Sequence, residues 1–128
     1  MKQVWPGDDA VTFEAERLAD ATSFDPEQRI EGVSGNRWTE LRLYRTPDGT
    51  YLVAGTGCST VDGESDRHWL NVQRRARDVV KALTRRDRRS GRQYLTDVAL
   101  DLLDMAGEED PEIFDEVTAF QTVRDWNA

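Results

Sequence analysis

The sequence predicts an α+β domain in which a small antiparallel sheet of two or three strands is covered by three C-terminal amphipathic helices. Three observations predict this class: strand formers interrupted by a turn between residues 37 and 54, apolar stripes at helical spacing after residue 68, and a length of 128 residues. That length fits one domain, and strands followed by helices are typical of the α+β class. We expect a single domain over residues 1–128, with flexible ends at 1–9 and 124–128.

The hairpin is the clearest local feature of the sequence. Residues 37–45 are rich in strand formers, and Leu41 and Leu43 share one face because successive side chains alternate across a strand. A Pro-Asp-Gly turn follows at 47–49, where glycine adopts the backbone conformation that such turns need. Residues 50–54 then return as the partner strand.

Two other stretches of the N-terminal half have weaker patterns. Residues 11–20 begin with apolar and polar side chains in alternation, which is typical of a half-buried strand. Val11, Ala15 and Leu18 also fit one face of a helix, but we favour a strand because β-branched and aromatic residues open the segment. The glycine-containing stretch at 55–67 is expected to be a polar loop.

Three amphipathic helices are predicted in the C-terminal half. The first covers residues 69–89, and the second ends at Gly107, a common helix stop. The third begins at Asp110, which can cap the helix, followed by Pro111 at the first helical position. Their apolar stripes consist of Trp69, Val72, Ala76, Val79, Val80 and Leu83 in the first helix, Leu95, Val98, Ala99, Leu102, Leu103 and Ala106 in the second, and Ile113, Val117 and Phe120 in the third.

Charge is laid out along the chain in three blocks. Residues 67–92 contain ten basic and two acidic residues, a net charge of +8, whereas residues 1–66 carry −7 and residues 93–128 carry −9. Such segregation concerns partners and assembly more than chemistry. The predicted basic face consists of Arg74, Arg77, Lys81, Arg85 and Arg88, and the predicted acidic stripe consists of Asp97, Asp101, Asp104, Glu108, Glu112 and Asp115.

Each charged face has several interpretations. The acidic stripe could attract a basic protein, or mimic a nucleic-acid backbone and so inhibit a nucleic-acid-binding enzyme. The basic helix 69–89 could neutralise phosphates, although no aromatic residue interleaves with its arginines between Trp69 and Tyr94. In the ordinary alternatives the faces are solvated or neutralise each other, within one chain or in a homodimer. We favour another protein as the partner, with nucleic acid as the alternative.

The sequence indicates no catalytic residue, metal ligand or cofactor. Cys58 and His68 could form a thiol enzyme, but no third residue is identified that would orient them. Asp62, Glu64, Asp66 and His68 alternate as in a calcium loop, yet the glycine and glutamate that such a loop needs at its sixth and twelfth positions are missing. We therefore expect no enzyme, no metal and no cofactor.

The composition also suggests a location. A single cysteine fits a reducing cytoplasm, and no apolar run approaches the length of about 20 residues that a membrane helix needs. We expect a cytoplasmic protein with no membrane partner.

Several short motifs, spread over about half of the chain, suggest a family. They are Phe13 with Leu18-Ala19, Tyr44-Arg45-Thr46 with Gly49 and Tyr51, and Leu102-Leu103 followed by Asp110-Pro111-Glu112. This pattern resembles the EXLDI family, small bacterial proteins of unassigned function, although the namesake Glu-x-Leu-Asp-Ile motif is not found. In size and charge the chain also looks like small acidic phage or mobile-element proteins, including anti-CRISPR inhibitors. The sequence thus predicts a non-enzymatic protein-interaction module, a regulator or inhibitor that acts through charge-patterned helices.

Overall fold

The fold is a four-stranded antiparallel sheet with helices packed against it. The computed structural model describes residues 2–4, 12–24 and 37–126. In chain order the elements are β1 (Lys2–Val4), β2 (Thr12–Glu14), β3 (Glu16–Thr22), β4 (Arg37–Arg45), β5 (Tyr51–Ser59), β6 (Arg67–Gln73), α1 (Ala76–Leu83), β7 (Arg85–Arg86), β8 (Gln93–Tyr94), α2 (Asp97–Glu109) and α3 (Pro111–Trp126). Strands β3 to β6 form the main sheet in that order, while β1 pairs with β2 and β7 pairs with β8.

The predicted sheet of two or three strands is wrong, because the main sheet has four strands and two further strand pairs lie outside it. The strand that the sequence pattern misplaces is β6, whose Trp69 and Val72 also fit the spacing of a helix. In the structure β6 pairs along its whole length with β5. A segment of seven residues is short enough to fit both the helical and the strand period, so its pairing with a neighbouring strand determines which structure forms.

The predicted hairpin turn is confirmed, and so is the preference for strand over helix within residues 11–20. Gly49 adopts a φ of +87° in the turn, the left-handed conformation that favours glycine. Strands β2 and β3 occupy most of the ambiguous N-terminal stretch. The returning strand of the hairpin extends beyond its predicted end at residue 54 and continues to Ser59.

The predicted polar loop at 55–67 is wrong in its first part, which is strand. Gly55 lies opposite Trp69 in the sheet, and a Cβ atom at Gly55 would fall 2.1 Å from the Trp69 ring. The glycine is therefore needed because the indole lies across the strand at this point, and it does not mark a loop. Gly63, with a φ of +83°, lies in the actual turn between β5 and β6.

The predicted first helix over residues 69–89 is also wrong, since α1 is limited to Ala76–Leu83. Its buried side, which includes Val79 and Leu83, agrees with the predicted apolar stripe. Beyond Thr84 every residue up to Gln93 is polar or glycine, so no side chain holds the chain against the core as a helix. The chain instead becomes extended at Thr84 and enters β7.

The helices bury one face of the sheet. Helix α2 lies over β3 and β4, helix α1 lies against β5 and β6, and α3 packs on both other helices. As a result α1, which carries Arg77 and Lys81, and α2, which carries the acidic residues from Asp97 to Glu108, lie over different halves of the sheet. The core between the layers includes Leu41, Leu43, Tyr51 and Val53 from the sheet and Val79, Leu102, Leu103, Ile113 and Val117 from the helices.

The junction of α2 and α3 agrees with the predicted cap and disagrees with the predicted stop. The Asp110 carboxylate accepts hydrogen bonds from the backbone N–H groups of Glu112 (3.0 Å) and Ile113 (3.3 Å), as expected of a capping residue. The predicted end at Gly107 is wrong, because α2 continues to Glu109. Gly107 lies where the two helices approach closely, and a Cβ atom there would be 3.2 Å from the Phe114 Cα atom.

Two predictions fall largely or partly outside the described residues. The predicted flexible ends at 1–9 and 124–128 lie mostly outside the described residues and stay predictions. No helix in the described ranges is both long enough and apolar enough to cross a membrane.

Candidate interaction surfaces

The residues of the predicted acidic stripe lie on two helices. Asp97, Asp101, Asp104 and Glu108 recur every three or four residues along α2, so they share one side of that helix over a rise of about 16 Å. Glu112 and Asp115 lie three residues apart on α3, the helix that packs on α2. All six carboxylate residues are exposed. We call this set the acidic surface.

Two large apolar side chains are exposed on the helices that carry the acidic surface. Met105 on α2 is 44% exposed, and Phe114 on α3 is 59% exposed. Met105 is one helical turn from both Asp101 and Glu108 and so borders the acidic surface, whereas Phe114 lies about 100° around α3 from Asp115. The sequence prediction did not include these two residues. A signal for them exists in the sequence, because each is a large apolar residue outside the apolar stripe of its helix.

The predicted basic face is exposed but is not a helix face. Only Arg77 and Lys81 lie on α1, whereas Arg74 precedes α1, Arg85 belongs to β7 and Arg88 lies in the turn between β7 and β8. All five side chains are exposed. The structure adds further exposed arginines from the same hairpin, which the prediction did not name: Arg86, Arg89 and Arg92. We call the combined set the basic surface.

Hydrogen bonds hold the β7–β8 hairpin in a defined shape. The Asp87 carboxylate accepts from the backbone N–H groups of Arg89 (2.8 Å) and Ser90 (2.9 Å), and these hydrogen bonds lower the pKa of Asp87. The Asp87 N–H donates to the Arg92 carbonyl at 2.8 Å, and Gly91 takes a φ of +71°. The hairpin backbone therefore presents its arginines from an ordered turn.

A groove of about 610 Å³ lies between α1, the hairpin and α3. Arg77, Lys81, Arg85 and Arg86 contribute the cationic side chains of its wall. Among the described residues of its lining, Glu116 alone is acidic. Its lining also includes three apolar residues, Val80, Ala119 and Phe120.

The two charged surfaces do not neutralise each other within the described residues. Ion pairs occur elsewhere, between Arg37 and Glu64 at 2.5 Å and between Arg45 and Asp110 at 3.2 Å. No ion pair of the described residues joins the acidic surface to the basic surface. Both surfaces therefore remain available to other molecules.

The thiol of Cys58 is buried and turned towards a carboxylate. Its Sγ atom lies 3.6 Å from Glu40 Oε1, and burial together with this carboxylate raises the pKa of Cys58 to about 11. The thiol is thus protonated at neutral pH, whereas a nucleophilic cysteine needs thiolate character. His68, its proposed base, has Nδ1 at 3.0 Å from Thr56 Oγ1. This arrangement provides no support for a thiol mechanism.

The carboxylates of the β5–β6 turn take part in local structure. Glu64 pairs with Arg37 and accepts from the Ser59 hydroxyl at 2.6 Å, while Asp66 accepts from the Ser59 N–H at 3.0 Å. In the part of the chain that the structure describes, no three His, Cys, Asp or Glu side chains come together as metal ligands.

Comparison with known proteins adds no relative. No family model matches the chain, and neither a curated protein nor a solved structure matches it. The resemblances to EXLDI proteins and to small phage inhibitors therefore stay predictions.

Proposed function

We propose that this chain is a non-enzymatic protein-interaction module that binds a partner with a basic surface through α2 and α3. One observation carries the proposal: the acidic surface is exposed and makes no ion pair with the basic surface, while Met105 and Phe114 are exposed on the same two helices. Protein interfaces combine an apolar centre with a polar rim, and a few large side chains supply most of the binding energy. Phe114 is the candidate anchor.

The charge of the acidic surface supports a basic partner. Like charges at successive helical turns repel one another, and a partner with arginine or lysine side chains would relieve this repulsion. Such complementarity accelerates encounter and excludes acidic competitors. The chain would act as a regulator or inhibitor if it covers a surface that the partner needs for its own activity.

Nucleic-acid mimicry is a specific form of this proposal. The carboxylates of α2 follow each other at a rise of about 4.5–6 Å, so they form a line of regularly spaced negative charges. A basic groove that binds phosphates would accept such a line. Met105 and Phe114 have no counterpart in a phosphate backbone, and they favour a partner surface that also has apolar residues.

The proposal can be tested by matched charge reversal. Immobilised wild type, an Asp101→Lys/Asp104→Lys variant and a Glu14→Lys/Asp62→Lys control would each capture proteins from host lysate, with quantification by mass spectrometry. Both variants change the net charge by the same amount, and all four positions are exposed. We expect a partner that wild type and control retain and that the Asp101/Asp104 variant loses. Equal capture by all three proteins would refute the proposal.

A second comparison separates the two forms of the proposal. Once a partner is purified, Phe114→Ala should weaken its binding at low and at high salt, because the lost contact is apolar. If the partner binds nucleic acid, a competing oligonucleotide should displace the chain only when the acidic surface acts as a mimic. Binding that is unaffected by Phe114→Ala would remove this residue from the interface.

A further inference from the structure

We infer that the groove between α1, the β7–β8 hairpin and α3 binds a single-stranded nucleic-acid segment through its phosphodiester backbone. This inference does not depend on the proposed function, because it concerns the basic surface and not the acidic one. It also differs from the sequence interpretation of a basic helix, since most of the cations come from the hairpin.

The charge of this region favours an anionic ligand. In the part of the lining that the structure describes, four residues are cationic and Glu116 alone is acidic. The hairpin turn continues the positive surface with Arg88, Arg89 and Arg92, all exposed. No ion pair of the described residues involves these cations. A polyanion would supply the missing counter-charge and release condensed counterions when it binds.

The type of cation suits phosphate groups as the main contact. Of the seven cationic residues in the groove and turn, Lys81 alone is not arginine. The guanidinium group is planar and donates two parallel hydrogen bonds to a phosphate, which makes arginine a preferred residue for nucleic-acid contacts. The turn held by Asp87 fixes the backbone under Arg88 and Arg89 and lowers the cost of ordering it on binding.

The lining favours a single strand over a duplex. Beside the cations, Val80, Ala119 and Phe120 contribute apolar atoms to the groove. Unpaired bases expose flat apolar faces that bind to such surfaces, whereas a duplex keeps its bases stacked inside. Helix α1, with its eight residues, is about 12 Å long, which limits the groove to a few nucleotides.

Fluorescence anisotropy with a labelled strand of about 12 nucleotides, as DNA and as RNA, would test the inference between about 50 and 200 mM salt. The test variant is Arg85→Glu/Arg89→Glu, and the control is Arg17→Glu/Arg67→Glu, which makes the same charge change on β3 and at the distant end of β6. Thermal melting would verify that both variants are folded.

We expect wild type and control to bind with a salt slope of about −3, which corresponds to roughly four neutralised phosphates on a single strand. The test variant should bind at least about tenfold more weakly, with a slope smaller by about 1.4, because two phosphate contacts are lost. A duplex of the same length should bind more weakly than the single strand.

Several results would overturn the inference. They are no binding at the lowest salt, an equal loss of affinity in the control, and a duplex that binds as tightly as the single strand. If polyglutamate displaces the labelled strand as well as the unlabelled strand does, the groove would be assigned to an acidic protein instead. None of these results bears on the acidic surface, so the proposed function would fail or stand separately.

Discussion

Replacing Asp110 with alanine should destabilise the protein strongly, because this one side chain connects two strands of the sheet with the start of α3. The residue is 1% exposed. Its Oδ2 atom accepts from the Tyr51 hydroxyl at 2.7 Å and from Arg45 at 3.2 Å, while Oδ1 accepts from the first N–H groups of α3. Alanine removes all of these acceptors at once.

The magnitude follows from the separate contacts. Loss of the helix cap costs about 1 kcal/mol. The buried Tyr51 hydroxyl would be left without its acceptor, at a cost of about 1–3 kcal/mol. The ion pair with Arg45 contributes at most about 1 kcal/mol, because the Arg45 side chain is 38% exposed and therefore screened. We expect a total loss of about 2–5 kcal/mol in the free energy of unfolding.

Urea unfolding followed by tryptophan fluorescence would measure this loss. Asp110→Asn should cost less than Asp110→Ala, because asparagine is also a good cap and keeps an acceptor for the Tyr51 hydroxyl. In a double-mutant cycle with Tyr51→Phe, the two losses should not add, since both substitutions remove the same hydrogen bond. A loss below about 1 kcal/mol for Asp110→Ala, or simple additivity, would refute the reasoning.

Three further predictions concern other parts of the fold. Gly107→Ala should destabilise the protein in urea by up to about 2 kcal/mol, because its Cβ would lie 3.2 Å from the Phe114 backbone, and the overpacking cost of about 1–3 kcal/mol is offset in part by a gain of about 1 kcal/mol in helix propensity; a gain in stability would contradict this. The hydrogen bond and ion pair with Arg37 lower the pKa of Glu64, so the stability advantage of wild type over Glu64→Gln in thermal melts should be full above pH 4.5 and disappear as the pH falls further; a constant difference would exclude it. Cys58 should react with a thiol reagent at pH 7 far more slowly in the folded than in the urea-unfolded chain, and equal rates would show an accessible thiol.

The parts of the fold that local patterns determine were predictable from the sequence. The turn at Gly49 and the cap at Asp110 depend on residues close in sequence, and the structure has both. Strand β6 was not predictable, because the spacing of Trp69 and Val72 fits a helix as well as a strand, and only the pairing with β5 distinguishes the two. Gly55 was wrongly assigned to a loop for the same reason. A glycine is needed there because Trp69 lies opposite it, and this neighbour is known only from the strand pairing.

The two surfaces differ in how far the sequence could define them. The acidic surface depends on one helical period, so its exposed side followed directly from the spacing of Asp97, Asp101 and Asp104. The β7–β8 hairpin has strands of two residues without apolar alternation, and no periodic signal indicates it. The arginines of this hairpin were visible as a charge run, but their arrangement beside α3 required the tertiary structure.

The position of the charges in the fold also explains why they remain separate. Helix α2 lies over β3 and β4, whereas α1 lies against β5 and β6, so the order of the strands separates the carboxylates of α2 from the cations of α1. Helix α3 packs on both, and its Glu112 and Asp115 make no ion pair with the basic surface. Interactions between exposed charges are largely screened beyond a Debye length, about 8 Å at physiological salt, so neutralisation in one chain requires direct contact. The structure provides no such contact between the two surfaces among the described residues. Because no ion pair joins the two surfaces, binding at one surface breaks no contact of the other. A cationic ligand and an anionic ligand could therefore occupy the two surfaces at the same time.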